Sequence, residues 1–141
     1  MKSTLFSFHL AIPVLDLEEC AIFYEKLFNC SRGRSANDWI DLNFFDHQLV
    51  LHQAESLSGD FAINFVDGDN IPVPHFGVIL DYAAFELTET NARNRGIHFL
   101  VEPRLRFEGK IGEQLTMFFR DPSNNVIEIK AFKDRANIFL A

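Results

Sequence analysis

Basic residues, cysteines and long apolar runs are all scarce in this chain. Thirteen Lys and Arg stand against twenty Asp and Glu, a net charge of -7, which removes the broad basic footprint that a nucleic-acid partner or an anionic membrane surface requires. No apolar run approaches the roughly eighteen residues of a membrane-spanning helix. The opening MKSTLFSFHLAIPV is too short in its apolar part and too interrupted for a signal peptide, so a soluble, cytoplasmic protein is expected. Cys20 and Cys30 are the only cysteines. One lies inside an expected helix and one just past it, a placement that reads as reduced packing thiols rather than a disulfide framework.

What is present is globular. A chain of 141 residues, 48% hydrophobic and 23% charged, suits one domain with a single buried core. Its organisation is a pattern given twice. LFSFHLAIPV reads as a strand, and DLEECAIFYEKLF as a helix with Asp16 as N-cap, Glu19 three residues on, and Cys20, Tyr24, Leu27 and Phe28 at helical spacing. Short strands follow in CSRGR, DWIDLNFF and QLVLHQ, with a turn at Asp46 and His47. A polar connection through AESLSGD and VDGDNIPVP leads to a second strand-helix pair, HFGVILDY and AAFELTETNARNRG, the helix closed by Gly96. IHFLVEP, LTMFFRD and NVIEIKAF supply three more strands.

The predicted fold is therefore α+β, two βαβββ modules over about 5–68 and 72–133 within one domain, forming an open, cupped, eight-stranded mixed sheet. One such unit leaves a sheet face uncovered, so a second copy must pack against it, and a single site between the copies is natural. Each copy begins its first strand with a histidine, His9 in FHLAIPV and His75 in PHFGVIL. Laying LVLH on IEIK places Val50 at the position of Glu128 and His52 at that of Lys130. Glu128 is out of place by composition, because it sits where a buried strand would carry another Val or Ile, and an unpaired buried carboxylate costs several kcal/mol.

HLAIPVLDLEECAIFYEKLF, PHFGVIL and FFRDPSNNVIEIKAF resemble the vicinal oxygen chelate superfamily of glyoxalase I, extradiol ring-cleaving dioxygenases, fosfomycin-resistance proteins and bleomycin-binding proteins. The likeness runs from about Phe6 to Phe132 and suggests a single-domain, dioxygenase-like member. Asn124 stands where the turn of that family usually has glycine, a mild departure because asparagine tolerates a left-handed backbone. The resemblance implies that His9, His75 and Glu128 are ligands of a divalent metal, iron(II) first and manganese(II) second, with zinc or nickel as further options. Two imidazoles and a carboxylate make a facial triad that leaves positions open for water, substrate or dioxygen.

Glyoxalase I-type members of that family use a fourth ligand where this chain has Val50, which argues for dioxygenase-like chemistry on a small substrate with adjacent oxygens. His52 shares a strand face with Val50 and is a candidate acid or base, a fourth ligand or a rim residue. Tyr82 and His98 are candidate donors to a developing oxyanion, and Arg106 a candidate clamp for a substrate carboxylate. Glu113 and Gln114 fall near the expected mouth, and one phenylalanine of each pair, Phe44 or Phe45 and Phe118 or Phe119, should turn into the cavity. The alternatives are a glyoxalase-like isomerase or lyase, a thiol transferase acting on an epoxide, or a drug-sequestering binding protein. A homodimer is compatible with all of them.

Overall fold

A computed structural model of the protein describes residues 5–57, 59 and 61–141. Of the expected connection AESLSGD, Ser58 and Asp60 lie outside the described residues, as do the first four residues of the N-terminal segment. The chain divides into two compact units, Met1–Ser58 and Gly59–Ala141. Among the described residues, no helix is long and apolar enough to cross a membrane.

The first unit holds β1 (His9–Val14), α1 (Leu17–Phe28), β2 (Ser31–Ala36), β3 (Trp39–Phe44) and β4 (His47–Gln53). Asp16 caps α1 as its sequence predicts, accepting from the Glu19 amide at 2.9 Å. The helix ends at Asn29, whose φ of 56° is left-handed. The sheet order is β1-β4-β3-β2, with β1 parallel to β4 and the other neighbours antiparallel. Alternation divides this sheet sharply. Ile12, Val14, Ile40, Leu42, Leu49 and Leu51 are buried on the face that α1 covers with Tyr24, Leu27 and Phe28. Tyr24, Phe28, Phe44 and Phe45 stack there edge to face, so Phe44 faces the helix rather than a cavity. The opposite face carries His9, Gln48, Val50, His52 and Asp41. The β3–β4 turn is at Phe45 and Asp46, with φ 53° and 65°, one residue before the expected place; the Asn43 side chain accepts from the Asp46 amide at 2.8 Å and makes that turn hold. Both cysteines are free and buried. Burial, reinforced by Glu25, pushes the Cys30 thiol up to about 12, which suits an inert packing residue.

The second unit opens with a hairpin that the sequence did not lead us to expect. β5 (Ala62–Val66) and β6 (Asp69–Val73) pair around Asp67 and Gly68, both at positive φ, the geometry of a two-residue hairpin turn. Residues 59–68, expected at the end of the first module, lie with the second unit. Then come β7 (Phe76–Leu80), α2 (Tyr82–Asn94), β8 (Phe99–Arg106), β9 (Gln114–Arg120) and β10 (Val126–Phe132). Asp81 caps α2 by accepting from the Ala84 amide at 2.7 Å. Gly96, at φ 69°, closes the helix as predicted: its amide reaches the Arg93 carbonyl and the Ile97 amide reaches that of Ala92, satisfying carbonyls the helix leaves open.

The second sheet repeats the first, in the order β7-β10-β9-β8. The eight module strands are thus hydrogen-bonded as two four-stranded mixed sheets, one in each unit, and β5–β6 forms a separate pair. The turn before β10 is built on buried Asp121, which accepts from the Ser123 and Asn125 amides at 2.8 and 2.9 Å, while Asn124 takes the left-handed conformation at φ 67°. Ile127, Ile129, Met117 and Phe119 are fully buried on one face; Glu128, Thr116 and Phe118 share the other. The β5–β6 hairpin lies against this second face, with Ile71 packed on Val101, Phe118 and Val126.

Registers within each unit show that the two modules match residue for residue. Ala11, two residues past His9, pairs with Val50; Gly77, two past His75, pairs with Glu128. Gly77 also allows the backbone of β10 to approach, since a Cβ there would overlap the Glu128 carbonyl oxygen. Gly77→Ala is expected to cost about 1–3 kcal/mol, the range of overpacked cores. Equilibrium urea unfolding checks this, and an unchanged midpoint would contradict it.

Candidate metal centre and its surroundings

Glu128 is 9% exposed, and three side chains surround its carboxylate. The Thr116 hydroxyl donates to Glu128 Oε2 at 2.7 Å. Glu128 Oε1 faces His75 Nε2 at 3.3 Å and lies 3.8 Å from Lys130 Nζ, too far for a hydrogen bond. No arginine is involved. One carboxylate oxygen is therefore committed to a hydroxyl, and the other is turned toward an imidazole.

The orientation of that imidazole is fixed from behind. His75 Nδ1 lies 2.7 Å from the Pro72 carbonyl oxygen, and a carbonyl can only accept, so Nδ1 carries the proton. In the neutral ring, Nε2 then presents a lone pair to Glu128 Oε1. Two lone pairs at that distance repel unless a cation lies between them, either a proton on Nε2 or a metal ion bound by both. The ring also meets Phe118 edge-on, with centroids 5.1 Å apart. A nitrogen and a carboxylate oxygen held this way fit a divalent metal of intermediate softness.

In the first unit, His9 is exposed at the start of β1. Its Nδ1 lies 2.7 Å from Gln48 Oε1, and Gln48 Nε2 donates to Asp41 Oδ2 at 3.1 Å. A polar cleft of about 550 Å³ on this face is lined by Asp41, Asn43, Asp46 and Gln48 among others. His52 is exposed further along β4, beside Trp39 and Pro13. Its counterpart in the second module is Lys130, the residue near Glu128. Among the described residues, no three His, Cys, Asp or Glu side chains are gathered as a metal cage.

Several candidates are engaged elsewhere. Arg106 pairs with Asp67 at 2.6 Å and lies over the Phe107 ring, tying β8 to the hairpin turn; Arg104 does the same through Asp69 at 2.7 Å. The Tyr82 hydroxyl donates to Glu113 Oε2 at 3.4 Å. The Gly109 amide, bonded at 2.9 Å, holds the Glu113 carboxyl below its ordinary value, with help from Lys133. Burial and then Glu113 push the Tyr82 phenol up. This group sits where β10 ends at Phe132, opposite Gln114, about 13 Å along the strand from Glu128. It borders a separate cleft of about 670 Å³ that Tyr82 and Lys133 help to line. His98 is exposed ahead of β8, and Gln114 is buried. Thr116, Gln48 and Asp41, which orient the candidate ligands, escaped the sequence; only the strand registers bring them to the right face.

The fold has solved counterparts. No protein-family model and no curated protein matches it. A glyoxalase/bleomycin resistance protein/dioxygenase from Alicyclobacillus acidocaldarius is 36% identical, covers 99% of this chain and 100% of its own, and superposes with a TM-score of 0.77. The chain therefore belongs to the glyoxalase/bleomycin resistance protein/dioxygenase family, within the vicinal oxygen chelate superfamily. The fosfomycin resistance protein FosX from Listeria monocytogenes has the same fold at 17% identity, with 97% of this chain and 98% of that one covered and a TM-score of 0.69. A Glu-to-Gln variant of that FosX, complexed with Mn(II) and 1S,2S-dihydroxypropylphosphonic acid, matches at 16% identity, with 97% and 95% covered and a TM-score of 0.67.

The lone-pair conflict makes Glu128→Gln informative. The new amide can accept from Thr116 and donate to His75 Nε2, so metal-free protein should be no less stable and gain up to about 1 kcal/mol. Thr116→Val, which strips a bond from the buried carboxylate, should instead cost about 1–3 kcal/mol. Urea unfolding of both variants measures the difference. A large loss in Glu128→Gln would mean that a protonated His75 forms a structural ion pair.

Proposed function

We propose that the protein is a divalent-metal-dependent enzyme acting on a small substrate with two adjacent oxygens, and that His9, His75 and Glu128 are its only protein ligands to the metal. The observation that carries this is the matched register of the modules: each presents a histidine at the head of its first strand, and the residue two further on pairs, across the parallel neighbour strand, with either Val50 or Glu128. A bound divalent cation would polarise the substrate oxygens and stabilise negative charge developing on them.

The chain's own residues set the rest. Thr116 reserves one oxygen of Glu128, leaving the other to face His75. Val50, buried and apolar, offers no further ligand, which supports oxygen-dependent, extradiol-like chemistry with iron(II) or manganese(II), because substrate and dioxygen each need room. Phe118 gives an aromatic wall beside His75, suited to a planar substrate. His52, exposed on the Val50 face, is the proposed proton acceptor. Tyr82, Glu113 and Arg106 are already joined to other groups and are secondary candidates. The acidic balance of the chain favours a small molecule over nucleic acid or membrane as partner, and pairing with a second copy of the chain remains part of the proposal.

A second reading is favoured by the FosX complex, since Mn(II) is there found with a compound that itself has adjacent hydroxyls. A 1,2-diol is what addition of water across an epoxide C–O bond leaves, and that reaction consumes no oxygen. The two readings separate cleanly. Iron(II)-loaded protein should take up oxygen with o-diphenols, and Val50→Glu should abolish uptake while retaining metal. No uptake across a broad set of such substrates would contradict the first reading. Anaerobic conversion of an epoxide to its diol by manganese-loaded protein would establish the second.

A further inference from the structure

Resting on the metal reading above, we propose that Gln48 and Asp41 are positioning residues that hold His9 in the Nδ1–H tautomer and so reserve Nε2 for the metal. The order of the hydrogen bonds leaves one solution. Asp41 is a carboxylate, 8% exposed, and can only accept, so Gln48 must turn its amide nitrogen toward it, as seen at 3.1 Å. The amide oxygen of Gln48 is thereby directed at His9 Nδ1, 2.7 Å away. An acceptor there requires a proton on Nδ1, which leaves the lone pair of the neutral ring on Nε2. With the amide reversed, its oxygen would face the Asp41 carboxylate and its nitrogen the ring, placing two acceptors in contact.

A neighbouring histidine shows that the arrangement is particular to His9. His47 Nδ1 accepts from the Phe8 amide at 2.8 Å, so His47 carries its proton on Nε2 and has no free nitrogen for a metal. His75 reaches the same tautomer as His9 by a different route, through the Pro72 carbonyl supplied by β6. The two modules thus orient equivalent histidines with different devices, a backbone carbonyl in one and a side-chain relay in the other. Only the relay can be removed by substitution without disturbing the backbone. Orienting partners of this kind typically change metal affinity about 10- to 100-fold.

The test uses the full chain, metal-free for nitrogen-15 NMR of the histidine rings and then titrated with manganese(II). In the wild type, His9 should read as Nδ1–H. Gln48→Leu should shift it toward Nε2–H and weaken manganese binding about 10- to 100-fold, with the unfolding midpoint showing that the variant is folded. The double substitution Asp41→Asn with Gln48→Glu restores a donor facing an acceptor and keeps an acceptor toward His9, so both the tautomer and the affinity should recover. An Nε2–H ring in the wild type, or unchanged manganese affinity in Gln48→Leu, overturns the proposal. Failure of the metal reading has a different signature: His9→Ala leaves manganese affinity unaltered. That result also removes the function assigned to the relay.

Discussion

The contact between His75 Nε2 and Glu128 Oε1, 3.3 Å long, is the constraint around which the second unit is organised. Its meaning comes from the other side of the ring, where the Pro72 carbonyl fixes the proton on Nδ1. A lone pair and a carboxylate oxygen are then held face to face in a half-buried place, at a cost that a proton on Nε2 or a metal ion between them relieves and that the nearby Lys130 ammonium lowers in part. Other features of the unit keep the two groups there. Gly77 lets β10 come close to β7, Thr116 occupies the second carboxylate oxygen, and Phe118 limits the swing of the imidazole. The β5–β6 hairpin supplies Pro72 and is itself pinned by Arg104 and Arg106 through Asp69 and Asp67.

The first unit repeats the strand plan with different polar chemistry. Its counterpart of Glu128 is Val50, so no carboxylate is stranded, and its histidine is oriented by side chains instead of by backbone. Duplication explains the shared geometry. The difference at one position explains why the first unit presents one candidate ligand and the second presents two. Apolar faces under α1 and α2 are interchangeable between the modules in character; the polar faces are not, and chemical specificity resides in them.

Much of this was legible in the sequence, because it depends on local signals. The Asp16 cap, the helical spacing from Cys20 to Phe28, the Gly96 stop and the Asp121–Asn125 turn each act over a few residues. The misplaced Glu128 stood out because burial makes a carboxylate expensive. The β5–β6 hairpin was missed although Asp67–Gly68 is a strong turn signal, because Pro72, Pro74 and the surrounding Asp and Asn residues weaken the strand pattern on either side. The β3–β4 turn was misplaced by one residue because Phe45 is an unusual occupant of a left-handed position. Links such as Arg106–Asp67, Tyr82–Glu113 and Asp41–Gln48–His9 depend on registers between strands, which no short stretch encodes.

The proposal that one metal is held by His9, His75 and Glu128 is tested most directly by anomalous X-ray diffraction from manganese- or iron-loaded crystals. The account predicts one strong peak per chain, bonded to His9 Nε2, His75 Nε2 and a single oxygen of Glu128 at about 2.0–2.2 Å, with Thr116 still on the other oxygen. A peak at other residues, or no peak at these three after loading with millimolar metal, would contradict it.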